Sequence, residues 1–193
     1  MKRIVILLLL SLVFGGCSAV PLRTMWRMRN FSVQNVTSID PNELRARIIL
    51  PVDMLLKPDS SRLVIELMDD KGHSDSYKFP LDIIEREEIT QGRFRKKRVA
   101  QSTLRLSRQA VKDFVRFQEE LRTKKRKHGR AGVHVSSAFD RSEPLKKEEA
   151  PKPFELSILL KLDAKEDYFT LIDRVKVVPN IKSKQENTTE SKK

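Results

Sequence analysis

Residues 62–83, RLVIELMDDKGHSDSYKFPLDI, alternate apolar and polar side chains in two runs with a turn signal between them. Leu63, Ile65 and Leu67 share one face of the first run. Tyr77, Phe79, Leu81 and Ile83 share one face of the second, against Ser76, Lys78, Pro80 and Asp82. Successive side chains of a strand point to opposite faces, so a period of two predicts half-buried strands rather than helix. Asp70-Lys71-Gly72 is the polar, glycine-containing break that closes a hairpin. Pro80 has no N–H for a ladder, which places it at an edge or a bulge.

The alternation recurs on both sides of this hairpin. Leu44, Ala46, Ile48 and Leu50 alternate with Arg45, Arg47 and Ile49, and Pro51 ends the run. Leu104 and Leu106 point inward within 99–106, and Val133, Val135 and Phe139 do so within 131–139. Phe154, Leu156, Ile158, Leu160 and Leu162 share the longest apolar face. Residues 168–178 form a further run in which Asp173 falls on the apolar side, which predicts a bulge or a bend. Residues 31–37 read as a weak strand, 38–42 as a turn, and 85–92 as a polar connection. The proline-bearing stretch 140–153 reads as an exposed loop.

One segment has a different period. Ala110, Phe114, Phe117 and Leu121 are spaced by four, three and four, which is one face of a helix. Ser107 is its expected N-cap and Gly129 its stop. The expected fold is mainly β: a β-sandwich of about seven to eight strands with one amphipathic α-helix inserted over 107–128.

The chain has 193 residues and a formal net charge of +13. That length accommodates one domain with tails. Metal and nucleophile signatures are not found: His73, His128 and His134 are far apart, and no elbow, zincin or phosphate-loop motif occurs. Asp69-Asp70 and Glu85, Glu87 and Glu88 have no recognisable cation loop around them. The reading is a non-enzyme with no cofactor and no metal.

Met1 to Cys17 assigns an address. Lys2 and Arg3 precede an apolar run, Ile4 to Phe14, followed by Gly15, Gly16 and the chain's one cysteine. A charged start, an apolar run of this length and small residues before a cut make a secretory signal peptide, too short to be a membrane span. Val13-Phe14-Gly15-Gly16-Cys17 resembles the lipobox of bacterial lipoproteins, with Phe14 where the family usually has Leu. The resemblance covers residues 1–17 alone. It implies cleavage before Cys17, a diacylglyceryl thioether and an N-acyl chain on that residue, and, with Ser18 rather than Asp following, transfer to the outer membrane. The expected organisation is signal peptide 1–16, lipidated tether 17–30, β-sandwich domain 31–179 and a disordered tail 180–193. The tether interleaves Arg23, Arg27 and Arg29 with Met25, Trp26 and Met28. That composition fits a membrane interface, and it fits equally a Trp26 tucked into the domain.

Removal of Lys2 and Arg3 with the signal takes the charge from +13 to +11. A basic surface attracts anionic partners, and export argues against nucleic acid. Two runs stand out: Arg93, Arg95, Lys96, Lys97 and Arg98, and Arg122, Lys124, Lys125, Arg126 and Lys127. If strand and helix pack as an antiparallel pair, the runs meet at one end as a candidate anionic-ligand patch. The functional expectation is a lipid-anchored, palmitate-bearing lipoprotein on the periplasmic face of the outer membrane. It would serve as a non-catalytic adaptor in a cell-envelope assembly with a protein partner. The alternative is a binding module for peptidoglycan or another anionic envelope ligand.

Overall fold

A computed structural model describes residues 20–69, 72–92, 96–123, 129–142 and 152–178. Their helices are α1 (Leu22–Arg29), α2 (Val33–Ser38) and α3 (Arg108–Thr123). Their strands are β1 (Arg45–Pro51), β2 (Met54–Leu56), β3 (Arg62–Met68), β4 (Ser74–Gln91), β5 (Lys97–Leu106), β6 (Arg130–Ser136), β7 (Phe139–Arg141), β8 (Phe154–Lys161) and β9 (Phe169–Val177). Seven of them form one antiparallel sheet in the order β6-β3-β4-β5-β1-β8-β9, and β2 pairs with β7 separately. The protein is mainly β with an amphipathic helix inserted between β5 and β6. The sheet is nearly closed on itself.

The hairpin at 62–83 is present, with Leu63 opposite Phe79 and Ile65 opposite Tyr77. β4 then continues well past it. Ser74 to Pro80 pair with β3, and Leu81 to Gln91 pair with β5, so one strand of 18 residues joins two parts of the sheet. Pro80 sits where the partner changes, and its carbonyl accepts from the Ser107 N–H that leads into α3. The stretch 85–92 is therefore corrected from a polar connection to strand as far as Gln91. Apart from half-buried Ile89 its side chains are polar and exposed, which removes the apolar alternation that marks a half-buried strand.

The core forms where the apolar faces meet. Ala46 and Ile48 of β1 lie between Leu104 and Ser102 of β5 and Leu160 and Ile158 of β8. Leu63, Ile65, Phe79, Val133 and Val135 belong to the same buried cluster. α3 is held on it by aromatic contacts: Phe114 meets Phe79 at 4.8 Å and Phe117 meets Tyr77 at 4.4 Å between ring centres. Such edge and tilted pairs add to the burial of the rings. Ser107 caps α3, its hydroxyl accepting from the Ala110 N–H at 3.1 Å. Residues 124–128 of the expected helix lie outside the described residues.

The weak strand at 31–37 is corrected to a helix. Ser32 and Asn35 form a reciprocal cap at the start of α2. Val33 and Val36, three apart on a helical turn, are the side chains α2 buries. The run 131–139 divides into β6 and β7. Asp173 lies at a bulge, as its position on an apolar face predicts. Leu156 opposes Val175 and Ile158 opposes Ile172, so Asp173 and Arg174 together face Ser157. Arg174 takes a positive φ of 47° there, and its N–H donates to the Ser157 hydroxyl at 2.9 Å. The tail 180–193 lies outside the described residues.

Candidate functional site

α1 begins two residues into the described chain, at Leu22, where the Pro21 carbonyl accepts from the Thr24 and Met25 N–H groups. Leu22, Met25 and Trp26 recur at i, i+3 and i+4, so they form one stripe. An apolar stripe of that kind normally packs on the core. Here it points the other way: Leu22 is 77% exposed, Met25 53% and Trp26 75%. The opposite face makes the contacts with the domain. Thr24, only 4% exposed, donates its hydroxyl to the Thr170 carbonyl of β9. Arg27 pairs with Glu166 and lies 4.2 Å from the centre of the Phe169 ring, and half-buried Met28 packs against the core.

α1 is thus turned inside out, with polar groups docked and apolar groups facing solvent. Exposed Arg23 and Arg29 flank the stripe. Cys17 itself lies outside the described residues. It precedes Leu22 by five residues, which reach at most about 17 Å when extended. Of the two placements for Trp26, the exposed one is observed. The stretch expected as a tether is helical from Leu22 to Arg29. The spacing of its stripe was available in the sequence, but one two-turn helix gives a weak periodic signal.

The basic runs do not meet among the described residues. Arg93, Arg95, Lys124, Lys125, Arg126 and Lys127 lie outside those residues. Lys96 is exposed just before β5, and Lys97 and Arg98 begin β5 opposite Gln91 and Thr90. Arg122 ends α3. Since α3 carries on in the direction of β5 and returns along the first half of β4, Phe117 sits at Tyr77, 14 residues before Gln91. That separation is roughly 45 Å of strand path. The antiparallel strand–helix pair that would bring the runs together does not form.

Three of the described cations are also engaged. Lys97 pairs with Glu155 at 3.2 Å and Arg98 pairs with Glu88. Arg122 donates to the Thr37 carbonyl at 2.6 Å. Beside Lys97 lies an open cleft of about 360 Å³ lined by Ile49, Val99, Ser157, Glu155, Asp173 and Arg174 among others. Its two cations face two carboxylates, since Arg174 is 3.4 Å from Asp173. Among the described residues the charges that line the cleft therefore balance.

No family model matches the chain, and no curated protein or solved structure matches it. No helix among the described residues is long and apolar enough to cross a membrane. The surface that departs most from that of an ordinary domain is the outward stripe of α1.

Proposed function

We propose that this protein is a lipid-anchored lipoprotein of the periplasmic face of the outer membrane, acting as a non-catalytic adaptor in an envelope assembly. The observation that carries the reading is the inside-out helix α1 placed five residues after Cys17. Acyl chains on Cys17 supply the primary anchor, each buried CH₂ contributing about 0.8 kcal/mol. Leu22, Met25 and Trp26 then reach the same interface, where Trp is favoured and Arg23 and Arg29 find lipid phosphates. The domain is held against the membrane by its α1 and β9 side, and the rest of the sheet faces away from it.

The alternative, a module for peptidoglycan or another anionic ligand, has less support because Lys97 and Arg98 are paired with carboxylates and Arg122 lies apart from them on α3. Intact mass of the mature N-terminus, with membrane fractionation, tests the main reading. The expected product starts at Cys17, carries acyl chains and sediments with membranes. An unmodified Cys17 or a soluble product overturns it.

A further inference from the structure

Beyond Leu81, whose N–H still donates to the Ser61 carbonyl at 3.0 Å, β4 has a strand on one side only among the described residues. β3 pairs with it as far as Pro80, and among the described residues no strand pairs with the far side of Leu81–Gln91. The sheet's other margins are better guarded. Ser32 bridges Arg130 on β6, and Phe31 accepts from the Ala131 N–H. β9 is bulged twice and carries α1 at Thr170. The first half of β4 lies under α3. An open run of backbone donors and acceptors is a template for another strand.

The bulge in β4 decides what that strand must look like. The register slips between Ile83 and Glu85, leaving Ile84 without an opposite residue. Asp82 opposes Arg105, Glu85 opposes Thr103 and Glu87 opposes Gln101. Arg105, Thr103 and Gln101 share one face of β5, so the bulge sets Asp82, Glu85 and Glu87 on one face of β4. Without it, Asp82 would share its face with Ile84 and Arg86. Glu87 accepts from Gln101 at 2.7 Å, whereas Asp82 and Glu85 make no ion pair or hydrogen bond with described residues. Ile83 and Ile84 are 43% and 44% exposed beside them. Over 82–89 there are four carboxylates and one cation, Arg86. A second copy of the same edge would set like charges against each other, which disfavours self-pairing.

We infer that the Leu81–Gln91 edge of β4 receives an extended segment of a partner protein, added as a strand, with Lys or Arg at alternate positions facing Asp82, Glu85 and Glu87 and apolar residues between. The inference deepens the adaptor reading and rests on it for its biological setting. β5, β1 and β8 stand between β4 and β9 in the sheet order, so a strand added here does not compete with α1 for β9.

The full mature chain in detergent micelles is titrated with two nine-residue peptides, one alternating Lys with Val and Thr, the other alternating Glu with Val and Thr. The Lys peptide is expected to bind and to slow amide exchange within 81–91, with the Glu peptide inert. In the double variant Asp82→Lys, Glu85→Lys the Lys peptide is expected to weaken about tenfold, as lost cross-strand charge pairs require, while the Glu peptide begins to bind. A gain by the Glu peptide is a result that misfolding does not give. Absence of binding to the parent chain, binding insensitive to the charge reversal, protection elsewhere, or a dimer of the chain protecting 81–91 each overturns the inference. A lipidated chain that fails these titrations sinks this inference alone. An unacylated soluble chain that passes them sinks the anchoring reading alone.

Discussion

Gln118 is a buried polar side chain on the otherwise apolar face of α3, and its amide accounts for the way α2 is held. Its Nε2 donates to the carbonyls of Val36 and Ile39, at 2.9 and 2.8 Å, where α2 ends and the Val36 carbonyl otherwise has only the long bond from the Ile39 N–H at 3.4 Å. Gln118→Ala removes both bonds, leaving the Val36 carbonyl with the long Ile39 N–H bond and taking from the Ile39 carbonyl the Gln118 donor. The expected loss is about 1–3 kcal/mol in denaturant unfolding, with the spectroscopic signature of the folded state retained. A loss below about 0.5 kcal/mol would mean that the α2 carbonyls are satisfied without it. The bulge on β9 shows a single residue being legible and its partner not. Asp173 on an apolar face announced an irregularity, because a carboxylate does not sit in a core unpaired. That the Ser157 hydroxyl accepts from the displaced Arg174 N–H depends on the register of β8 against β9, which no local pattern encodes.

Elements whose one face is buried were readable, and those that bury little were not. β1, β3, β8 and α3 present apolar residues at periods of two or 3.6 to a single core, and their positions follow from that alone. The second half of β4 buries little on either face and looked like a loop. α2, six residues long, depends on a cap and on α3 rather than on periodicity. α1 was hidden for the opposite reason, since its apolar stripe exists but does not face the core. If that stripe serves the membrane, it should be dispensable for folding. Leu22→Ser, Met25→Ser and Trp26→Ser together are expected to leave thermal unfolding of the chain unchanged within a few degrees, because the three side chains are exposed. The same triple variant, prepared with Cys17→Ser so that acylation does not mask the effect, should bind vesicles containing anionic lipid at least about tenfold more weakly than Cys17→Ser alone. Trp26 is the chain's one tryptophan, so the parent reports insertion by a blue shift of its fluorescence. Equal vesicle binding by the two chains, or a large drop in stability, would remove α1 from the membrane.

In the whole molecule the sheet is graded from a doubly paired centre to a bare margin. β1 has β5 on one side and β8 on the other, and Ala46 and Ile48 are fully buried between them. Opening those hydrogen bonds requires unfolding the core. Glu85 to Gln91 have one neighbouring strand among the described residues, and six of their seven side chains are exposed, Ile89 being half-buried. Local opening free energies follow such differences in burial and pairing, from near zero at margins to the global value in the centre. Native-state hydrogen exchange should therefore find the amides of Ile48 and Leu104 exchanging only through global unfolding. Within 85–91 the amides that point away from β5 should exchange orders of magnitude faster, alternating with slower neighbours that bond to β5. The alternation is the decisive feature. Uniformly slow exchange across 85–91 would mean that something already covers this margin in the isolated chain, and no strand could then be added to it. Uniformly fast exchange would mean that the extension beyond Leu81 is not held to β5, and the row formed by Asp82, Glu85 and Glu87 would lose the backbone that aligns it. An alternating pattern that becomes uniformly slow when a lysine-bearing strand is supplied is the signature of a margin kept open by charge and closed by a partner of opposite sign.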